Sequence, residues 1–315
     1  MELAYLILCH TDPIHIARLV KKLASDEHNK VYIHVDIKSD INLFRNAIGD
    51  LDNVHFCKNR YDAKWGSFTA IQATMELIKE SLSANSDRFI LLQGLDYPLY
   101  SNSTLSKFFE SHSDVEFIRA CNVSKSKDYY FWCRIKQAWF FSRVSKVFKL
   151  WHKFNKLFKL PTRSGRIISS DDRDLDVYFG HATWALTQAC VQYIYDFYLR
   201  ELEINNFFTS TMSSDELYIH TVVFNSTFKE KTTKKGPEPE QRNLVNWMNL
   251  EYFEYNDSVK VFESTDFSRI YETGYVFIRK VTSDKSNELL NLIDDFESAS
   301  PNEYQEYVQK LGSLI

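Results

Sequence analysis

The chain has 315 residues, of which 44% are hydrophobic and 25% charged, with only 8 Gly and 6 Pro. This composition is typical of a globular protein and excludes disordered, collagen-like and disulfide-scaffold proteins. The formal net charge of −4 conceals an asymmetry: residues 129–170 hold ten Lys or Arg and no Asp or Glu, which leaves −14 for the rest of the chain. Aromatic residues make up 15% of the chain, and we expect some of them to line a site or a surface.

The five cysteines are widely spaced and form no CxxC pair, a pattern that favours free thiols in a reducing compartment. The first apolar run ends at Cys9 and has no basic residues before it, so it predicts a strand rather than a signal peptide. No run approaches the ~18–20 apolar residues that a membrane-spanning helix needs. We therefore expect a cytoplasmic protein.

The first third of the chain alternates strand and helix patterns. Apolar runs predict strands at 4–9, 31–35, 54–57 and 89–92, and helical spacing predicts helices at 14–23, 41–49 and 68–82. This alternation predicts an α/β fold with a mostly parallel sheet flanked by crossover helices.

Polar, turn-prone residues follow three of these strands. They are His10-Thr11-Asp12, Asp36, and the segment from Gly94 to Pro98. Ligands of parallel α/β sheets bind beyond the carboxyl ends of the strands, so we expect a nucleotide or sugar site there. No GxGxxG follows the first strand and no GxxxxGK[ST] occurs, which removes the main support for a dinucleotide site or a P-loop.

Residues 134–160 form a basic aromatic segment with apolar residues at helical spacing and Lys or Arg largely on the other side. Three interpretations remain open: an amphipathic helix on an anionic membrane or lipid-linked acceptor, a nucleic-acid patch, or an ordinary helix whose apolar stripe is core. The acidic remainder of the chain disfavours nucleic acid.

The second half returns to an α/β pattern. The segment 178–187 precedes a helix predicted at 188–199, and residues 213–220 form an acidic first turn that leads into an apolar helix. A polar loop at 229–243, a strand at 274–278 and helices near 304–311 complete the chain. We expect one domain with a nucleotide-binding half (1–105), the basic insertion (129–170), an acceptor and catalytic half (171–281) and C-terminal helices (282–315).

Transfer of a sugar from a nucleotide sugar needs a carboxylate base and cations that stabilise the departing diphosphate. The sequence offers one candidate for each role. Glu216, in the acidic turn, is a candidate base, although such a turn is usually only a helix cap. Arg279 and Lys280 end an apolar strand, where they could clamp a diphosphate or simply be solvated.

An Asp-x-Asp metal motif is expected just after the strand at 89–92, but the chain there has Gly94-Leu95-Asp96, without the first carboxylate. Formal matches occur at Asp172, Asp174 and Asp176 in a polar loop, where we interpret them as solvated turn residues. Without a metal, positive side chains must stabilise the leaving group.

Six segments in this order resemble the core-2/I-branching enzyme family, which includes branching β-N-acetylglucosaminyltransferases and peptide O-xylosyltransferases. They are 6–10, 32–39, 65–67, 92–99, 214–226 and 277–280. The resemblance implies a GT-A-like fold and inversion in a single displacement without a metal cofactor. It also implies Glu216 as the base, Arg279 and Lys280 on the diphosphate of UDP, and Asp36 on uridine beside Leu8 and Trp65.

Further residues are carried over from the same resemblance. Ser264 falls near a diphosphate-loop serine, and Asp96, Asp215 and Arg242 are additional candidates. Family members often have Gly-Ser-acidic/Gln-Trp where residues 180–184 of this chain are Gly-His-Ala-Thr-Trp. The identity of the donor sugar therefore cannot be inferred from the family. The chain shows neither the membrane anchor nor the disulfides of animal members, and is identified as resembling a bacterial member.

The expected function is a metal-independent inverting β-glycosyltransferase that uses a UDP-sugar, with GlcNAc and xylose as first choices. The expected acceptor is a glycan, lipid-linked in surface-polysaccharide synthesis, with peripheral contact to the inner membrane face through 134–160. A metal-dependent retaining transferase and a non-catalytic glycan- or membrane-binding protein are the alternatives.

Overall fold

The computed structural model describes residues 1–139, 150, 153–154 and 157–313. The strands are β1 (Leu3–Cys9), β2 (Lys30–Val35), β3 (Val54–Phe56), β4 (Arg88–Gln93), β5 (Asp96–Pro98), β6 (Cys121–Asn122), β7 (Ile167–Ile168), β8 (Asp174–Leu175), β9 (Tyr178–Phe179), β10 (Trp184–Thr187), β11 (Glu251–Phe253), β12 (Tyr255–Asn256), β13 (Ser258–Val259) and β14 (Phe277–Arg279).

The described helices are α1 (Pro13–Ala24), α2 (Ile41–Ile48), α3 (Phe68–Ser81), α4 (Asn102–Ser111), α5 (Tyr129–Lys136), α6 (Gln188–Arg200), α7 (Leu202–Thr209), α8 (Tyr218–Phe224), α9 (Phe267–Tyr271), α10 (Asn287–Ala299) and α11 (Pro301–Lys310). Short 3₁₀ turns cover Leu82–Ala84, Ser214–Glu216, Thr227–Lys231, Leu244–Trp247 and Ser264–Asp266. In the described part of the chain, no helix is both long and apolar enough to cross a bilayer.

The main sheet has the strand order β10-β4-β1-β2-β3. β4, β1, β2 and β3 run parallel, and β10 pairs antiparallel with β4 at the edge. This confirms the predicted α/β class with its mostly parallel sheet and flanking helices. The apolar runs predicted as strands are buried because both faces of this sheet are covered.

Two hydrophobic cores lie on opposite faces of the main sheet. Alternate residues of β1 face each core: Tyr5 and Ile7 pack with the α1 side, and Ala4 and Leu6 pack with the α3 side. Crossover helices thus cover both faces and leave the carboxyl ends of the parallel strands for a site.

A second sheet, with the order β11-β14-β5, stands beside these carboxyl ends. β5 follows β4 after a tight turn, and β14 pairs antiparallel with β5 so that Arg279 lies directly opposite Asp96. β11 pairs parallel with β14 on its other side. This small sheet brings the end of the chain to the edge of the main sheet.

The structure corrects three predicted boundaries. The helix expected from residue 134 begins earlier, at Tyr129, and ends at Lys136 because Gln137 adopts an extended backbone; residues 140–149, 151–152 and 155–156 of the basic aromatic segment lie outside the described residues. The strand expected at 274–278 is Phe277–Arg279, and the last helix begins at Pro301, a favourable first helical residue.

Candidate active site

A cleft of about 150 Å³ lies beyond the carboxyl ends of β1, β2 and β4. Its apolar walls include Leu8, Ile71, Leu91 and Trp184. Its polar lining includes His10, Thr11, Asp36, Gln93, Asp215 and Arg279, with Trp65 at the rim. The site therefore lies at the edge of the sheet where the sequence predicted it, and it brings together five of the predicted residues: Leu8, Asp36, Trp65, Asp215 and Arg279.

Asp36, at the end of β2, braces the wall of the cleft. Its two carboxylate oxygens accept the backbone N–H groups of Lys38 (2.9 Å) and Ala63 (2.8 Å). Its backbone carbonyl accepts a hydrogen bond from Arg60 (2.6 Å). Because each carboxylate oxygen accepts more than one hydrogen bond, Asp36 can hold this loop and still contact a ligand.

The rim residue Trp65 is 66% exposed, and the glycine that follows it is joined to the acidic turn of residues 213–216. The Gly66 carbonyl accepts the amide of Ser213 (2.7 Å), and the Gly66 amide donates to Asp215 Oδ2 (3.4 Å). Gly66 has φ +72°, a conformation that favours glycine. These contacts hold the rim and the acidic turn together.

The acidic turn presents Asp215 to the cleft, while Glu216 is the last residue of the 3₁₀ turn and is only 6% exposed. The Glu216 carbonyl accepts the amide of Gly180 (3.0 Å), which ties the turn to the loop after β9. Burial raises the pKa of Asp215, although the Gly66 amide opposes this shift. Two neighbouring carboxyl groups are thus placed at or next to one wall of the cleft.

Arg279 enters the cleft from the opposite side, at the end of β14. Its Nη1 donates to Asp96 Oδ1 (2.6 Å), and its side chain is 20% exposed. Burial disfavours the charged guanidinium, but Asp96 and Glu251 outweigh this effect and raise the pKa of Arg279. Asp96 does not line the cleft itself, because it lies behind Arg279 as its ion-pair partner.

A buried polar cluster continues behind this ion pair. Glu251 of β11 lies 4.0 Å from Arg279 (Oε1 to Nε) and accepts a hydrogen bond from Thr183 Oγ1 (3.1 Å). His181 Nδ1 lies 2.8 Å from the same hydroxyl. Burial, followed by the Asp96 charge, raises the pKa of Glu251 well above its ordinary value, although Arg279 opposes the shift.

Two histidines complete the cluster and remain neutral at physiological pH. Burial lowers the pKa of His181 to about 3, helped by Arg279 and His220. Burial likewise lowers the pKa of His220, in α8, to about 3. Gly180 is needed here because a Cβ at this position would lie 2.1 Å from the Arg119 carbonyl oxygen and 2.6 Å from the His220 ring.

Besides Asp96 and Glu216, three predicted residues stand outside the cleft lining. Lys280 is partly buried, and its amide donates to the Lys260 carbonyl (3.3 Å); its ammonium has no carboxylate within 4 Å in the described ranges. Ser264 donates to Glu288 (2.7 Å). Arg242 is 65% exposed and lies 3.6 Å from Asp128. The Ser264 side chain, to which the resemblance assigns a diphosphate contact, is thus already hydrogen-bonded to Glu288. Arg242 lies on the surface.

The formal Asp-x-Asp matches do not line the cleft either. Asp174, in the β7–β8 hairpin, is 55% exposed and pairs with Arg166 (3.1 Å). Within residues 1–139 and 157–313 and the short described pieces between them, no three His, Cys, Asp or Glu side chains are grouped so that they could hold a metal ion.

The described part of the basic aromatic segment divides into buried and exposed residues. Arg134 is 3% exposed, with its guanidinium 3.6 Å from the centre of the Tyr130 ring. Arg163, just beyond the segment, donates hydrogen bonds to five backbone or hydroxyl groups of α5 and α7 and their neighbours. These two cations support the core. Large apolar residues farther along are exposed: Leu150, Phe154, Leu157, Phe158 and Leu160.

A larger groove of about 1470 Å³ lies on the opposite side of β5. Its centre is Asp294 of α10, which accepts hydrogen bonds from Arg18 (2.7 Å), Lys22 (2.7 Å) and Tyr97 (2.8 Å). Burial opposes the ionised form of Asp294, but Lys22 and Arg18 outweigh it and lower the pKa of Asp294. The groove is larger than the cleft, but its charged groups already satisfy one another.

Three features of the site were not predicted from the sequence: Glu251, Thr183 and the contact between Gly66 and Asp215. Glu251 sits in a short segment of mixed polarity whose burial becomes visible only when β11 pairs with β14. Thr183 belongs to the segment that departs from the family pattern at 180–184, and that departure was the one available signal.

Comparisons with known proteins place these observations in context. A family model described as Core-2/I-Branching enzyme matches residues 3–270, and so ends before Arg279. Xylosyltransferase 2 of Rattus norvegicus is 24% identical over 322 residues, covering 93% of this chain and 33% of the relative. A beta-1,3-galactosyl-O-glycosyl-glycoprotein beta-1,6-N-acetylglucosaminyltransferase 4 of Mus musculus is 21% identical over 305 residues, covering 89% of this chain and 62% of the relative.

The chain therefore spans about a third of the length of the xylosyltransferase relatives it matches. Among solved structures, the apo form of mouse xyloside xylosyltransferase 1 is 11% identical and has a TM-score of 0.28. That similarity covers 70% of this chain and 81% of the mouse protein.

Proposed function

The chain belongs to the Core-2/I-branching enzyme family, and from this we propose that it is an inverting β-glycosyltransferase that moves a sugar from a UDP-sugar to a glycan hydroxyl. The observation that carries the proposal is the arrangement of the cleft. Asp215 of the acidic turn and Arg279 both line the cleft beyond the carboxyl ends of a parallel sheet, and Glu216 follows Asp215 in the same turn. Base and leaving-group cation are the two charges that a single displacement needs.

In this reaction the acceptor oxygen attacks the anomeric carbon while the bond to the UDP oxygen breaks. We assign Glu216 as the base that takes the acceptor's proton, as the family resemblance implies. Asp215 is the alternative, because it is the member of the pair that lines the cleft. We assign uridine to the part of the cleft lined by Asp36, Leu8 and Trp65, as the family resemblance implies.

We propose that Arg279 and Lys280 hold the diphosphate without a metal. What supports this assignment is Asp96, the carboxylate at the place of a metal motif. It lies outside the cleft lining, behind Arg279, whose Nη1 donates to it (2.6 Å). A guanidinium can then offer its remaining N–H groups to phosphate oxygens.

The donor sugar is proposed as GlcNAc or xylose, the sugars named in the two kinds of relative, and the acceptor as a bacterial surface-polysaccharide precursor. A cytoplasmic location agrees with five cysteines that are all free and buried. Contact with an anionic membrane through the basic aromatic segment is supported by Phe154, Leu157 and Phe158, which are 53%, 76% and 55% exposed beside Lys153 and Lys159.

The test of the reaction is UDP release from a panel of UDP-sugars, measured with and without glycan acceptors and with excess EDTA. We expect turnover that survives EDTA. The matched variants are Glu216→Gln and Asp215→Asn, with UDP binding measured by thermal shift. Glu216→Gln should lower turnover by roughly 10²–10⁴-fold while UDP still binds.

Three other outcomes would each show that a different part of the proposed reaction is wrong. If Asp215→Asn alone abolishes turnover, Asp215 is the base. Turnover that is lost in EDTA and restored by manganese would show a metal-dependent enzyme. UDP binding without any release would show a non-catalytic protein.

Membrane contact is tested by sedimentation with vesicles of anionic or zwitterionic lipid. We expect binding to anionic vesicles alone, and a loss of that binding in the double variant Phe154→Ser, Leu157→Ser. Equal sedimentation of this variant and the wild type would overturn the proposed contact.

A further inference from the structure

Behind the cleft, two carboxyl groups face one guanidinium. Asp96 and Glu251 are 0% and 2% exposed, and both lie against Arg279, with 2.6 Å from Asp96 Oδ1 to Nη1 and 4.0 Å from Glu251 Oε1 to Nε. One positive charge cannot balance two buried negative charges, and burying an uncompensated charge is costly. One of the two acids must therefore keep its proton.

The hydrogen bonds identify which acid that is. Both oxygens of Asp96 accept hydrogen bonds from fixed donors, Arg279 Nη1 and the Gln93 amide. Glu251 accepts one neutral donor, Thr183 Oγ1, and its carboxyl group is close enough to that of Asp96 for a hydrogen bond when one of them carries a proton. Asp96 is thus arranged as the ionised acceptor and Glu251 as the acid.

We propose that Glu251 is a positioning residue that, as a carboxylic acid, bridges Thr183 and Asp96 and fixes the Asp96–Arg279 pair, and that its ionisation weakens the binding of the donor's diphosphate. This inference rests on the proposed function, in which the diphosphate lies against Arg279. It also explains the composition of the cluster. With Glu251 protonated, the cluster is neutral, and with Glu251 ionised it carries a net negative charge beside an anionic ligand.

The groups that face Glu251 come from four elements, and none offsets a new negative charge. β5 supplies Asp96, β14 supplies Arg279, the loop before β10 supplies Thr183 and His181, and α8 places His220 next to His181. Both histidines are neutral at physiological pH because burial lowers their pKa values to about 3. Since burial and Asp96 raise the pKa of Glu251, its proton is lost as the pH rises, and affinity for the diphosphate falls in the same direction.

The experiment measures the dissociation constant of UDP from neutral pH to the most alkaline pH at which both proteins stay folded, for the wild type and Glu251→Gln. Glutamine keeps the shape of the acid but cannot ionise. The wild type should lose affinity over this range by a factor on the order of ten more than the variant, as one added charge near the ligand predicts. Any other group that ionises over this range does so in both proteins, so the ratio of the two losses isolates Glu251.

Thr183→Val provides a second measurement that does not depend on the folding of the first variant. Thr183 donates to Glu251 and so favours its ionised form. Its removal should therefore move the alkaline loss of affinity to higher pH, whereas a merely structural role would lower affinity equally at every pH.

Parallel pH profiles in the wild type and Glu251→Gln, or an unshifted profile in Thr183→Val, would overturn the inference and leave the proposed function standing. If the wild type failed to bind UDP at every pH, the proposed function would be wrong, and the inference with it.

Discussion

Consecutive residues of β5 belong to two different charge clusters on opposite sides of one strand. Asp96 lies behind the cleft and pairs with Arg279, and Tyr97 lines the larger groove and donates to Asp294. In the groove, two cations and a hydroxyl surround one carboxylate, Asp294. Behind the cleft, two buried carboxyl groups lie against one guanidinium that is still partly exposed.

The difference separates an ion network that supports the fold from one that can receive a ligand. Around Asp294 the pKa shift favours the ionised carboxylate, because the cations outweigh burial. At Glu251 the pKa shift favours the neutral acid, because burial and a like charge outweigh one cation. The groove has roughly ten times the volume of the cleft, about 1470 against about 150 Å³, so the choice of the cleft as the candidate site rests on its charge balance and not on its volume.

The largest expected effect compares the arginines of the two clusters. Arg279→Ala should lower kcat/KM for the UDP-sugar by roughly 10²–10³-fold, because it removes the cation proposed to stabilise the leaving diphosphate. Arg18→Ala, which removes a groove cation, should change kcat/KM by less than about twofold and reduce stability by about 1 kcal/mol. Steady-state kinetics and denaturant unfolding of both variants check the contrast.

Arg279→Lys serves as the control because it keeps the charge but loses the guanidinium fork. An intermediate kcat/KM is expected for it. Similar kinetic losses in Arg279→Ala and Arg18→Ala would remove the distinction between the clusters.

A smaller effect is expected on stability at the groove. Asp294→Asn should lower the free energy of unfolding by about 2 kcal/mol near neutral pH, because Arg18 and Lys22 lose a shared, partly buried acceptor. The folded-state pKa of Asp294 lies below its unfolded value, so its contribution is present above about pH 4 and is lost on further acidification. Urea unfolding of both proteins at several pH values measures this.

The difference between wild type and Asp294→Asn should therefore shrink below about pH 4. A difference that stays constant from neutral to acid pH would mean that Asp294 gains nothing from its ionised form.

The smallest effect is expected far from both clusters. Asp174→Asn removes an exposed ion pair with Arg166, 55% and 63% exposed, so stability should change by less than about 0.5 kcal/mol and turnover should stay the same. Turnover assays with and without manganese check this. A large loss of activity would identify the Asp-x-Asp matches as functional and move the site away from the cleft.

The parallel strands and their helices were predictable because their signals are local. β1, β2 and β4 are nearly continuous apolar runs, as strands buried on both faces must be. The position of the site followed from topology, since it lies where those strands end. The small sheet could not be predicted from the sequence. β5 and β11 have three residues each, too few for a strand pattern, and they are identified as strands only by their pairing with β14.

The charged residues of the site were predicted as individuals but not as partners. Arg279 was expected on a phosphate, and Asp96 was expected at an incomplete metal motif; nothing in their spacing, 183 residues apart, shows that they pair. The basic insertion at 129–170 was misjudged in the opposite way. Its ten cations look like one charged surface in the sequence, yet Arg134 and Arg163 make contacts within the fold, which a charge count cannot predict.

Gly66 shares its backbone carbonyl between Ser213 and Ser214, at 2.7 and 3.3 Å, while its amide donates to Asp215. The loop that carries Trp65 therefore cannot shift without breaking hydrogen bonds to the turn that carries Asp215 and Glu216. The rim of the cleft and the acidic turn, to which the proposed function assigns the nucleotide and the acceptor's base, are thus held at a fixed spacing by the backbone. A ligand that contacts Trp65 would therefore meet the acidic turn already in position.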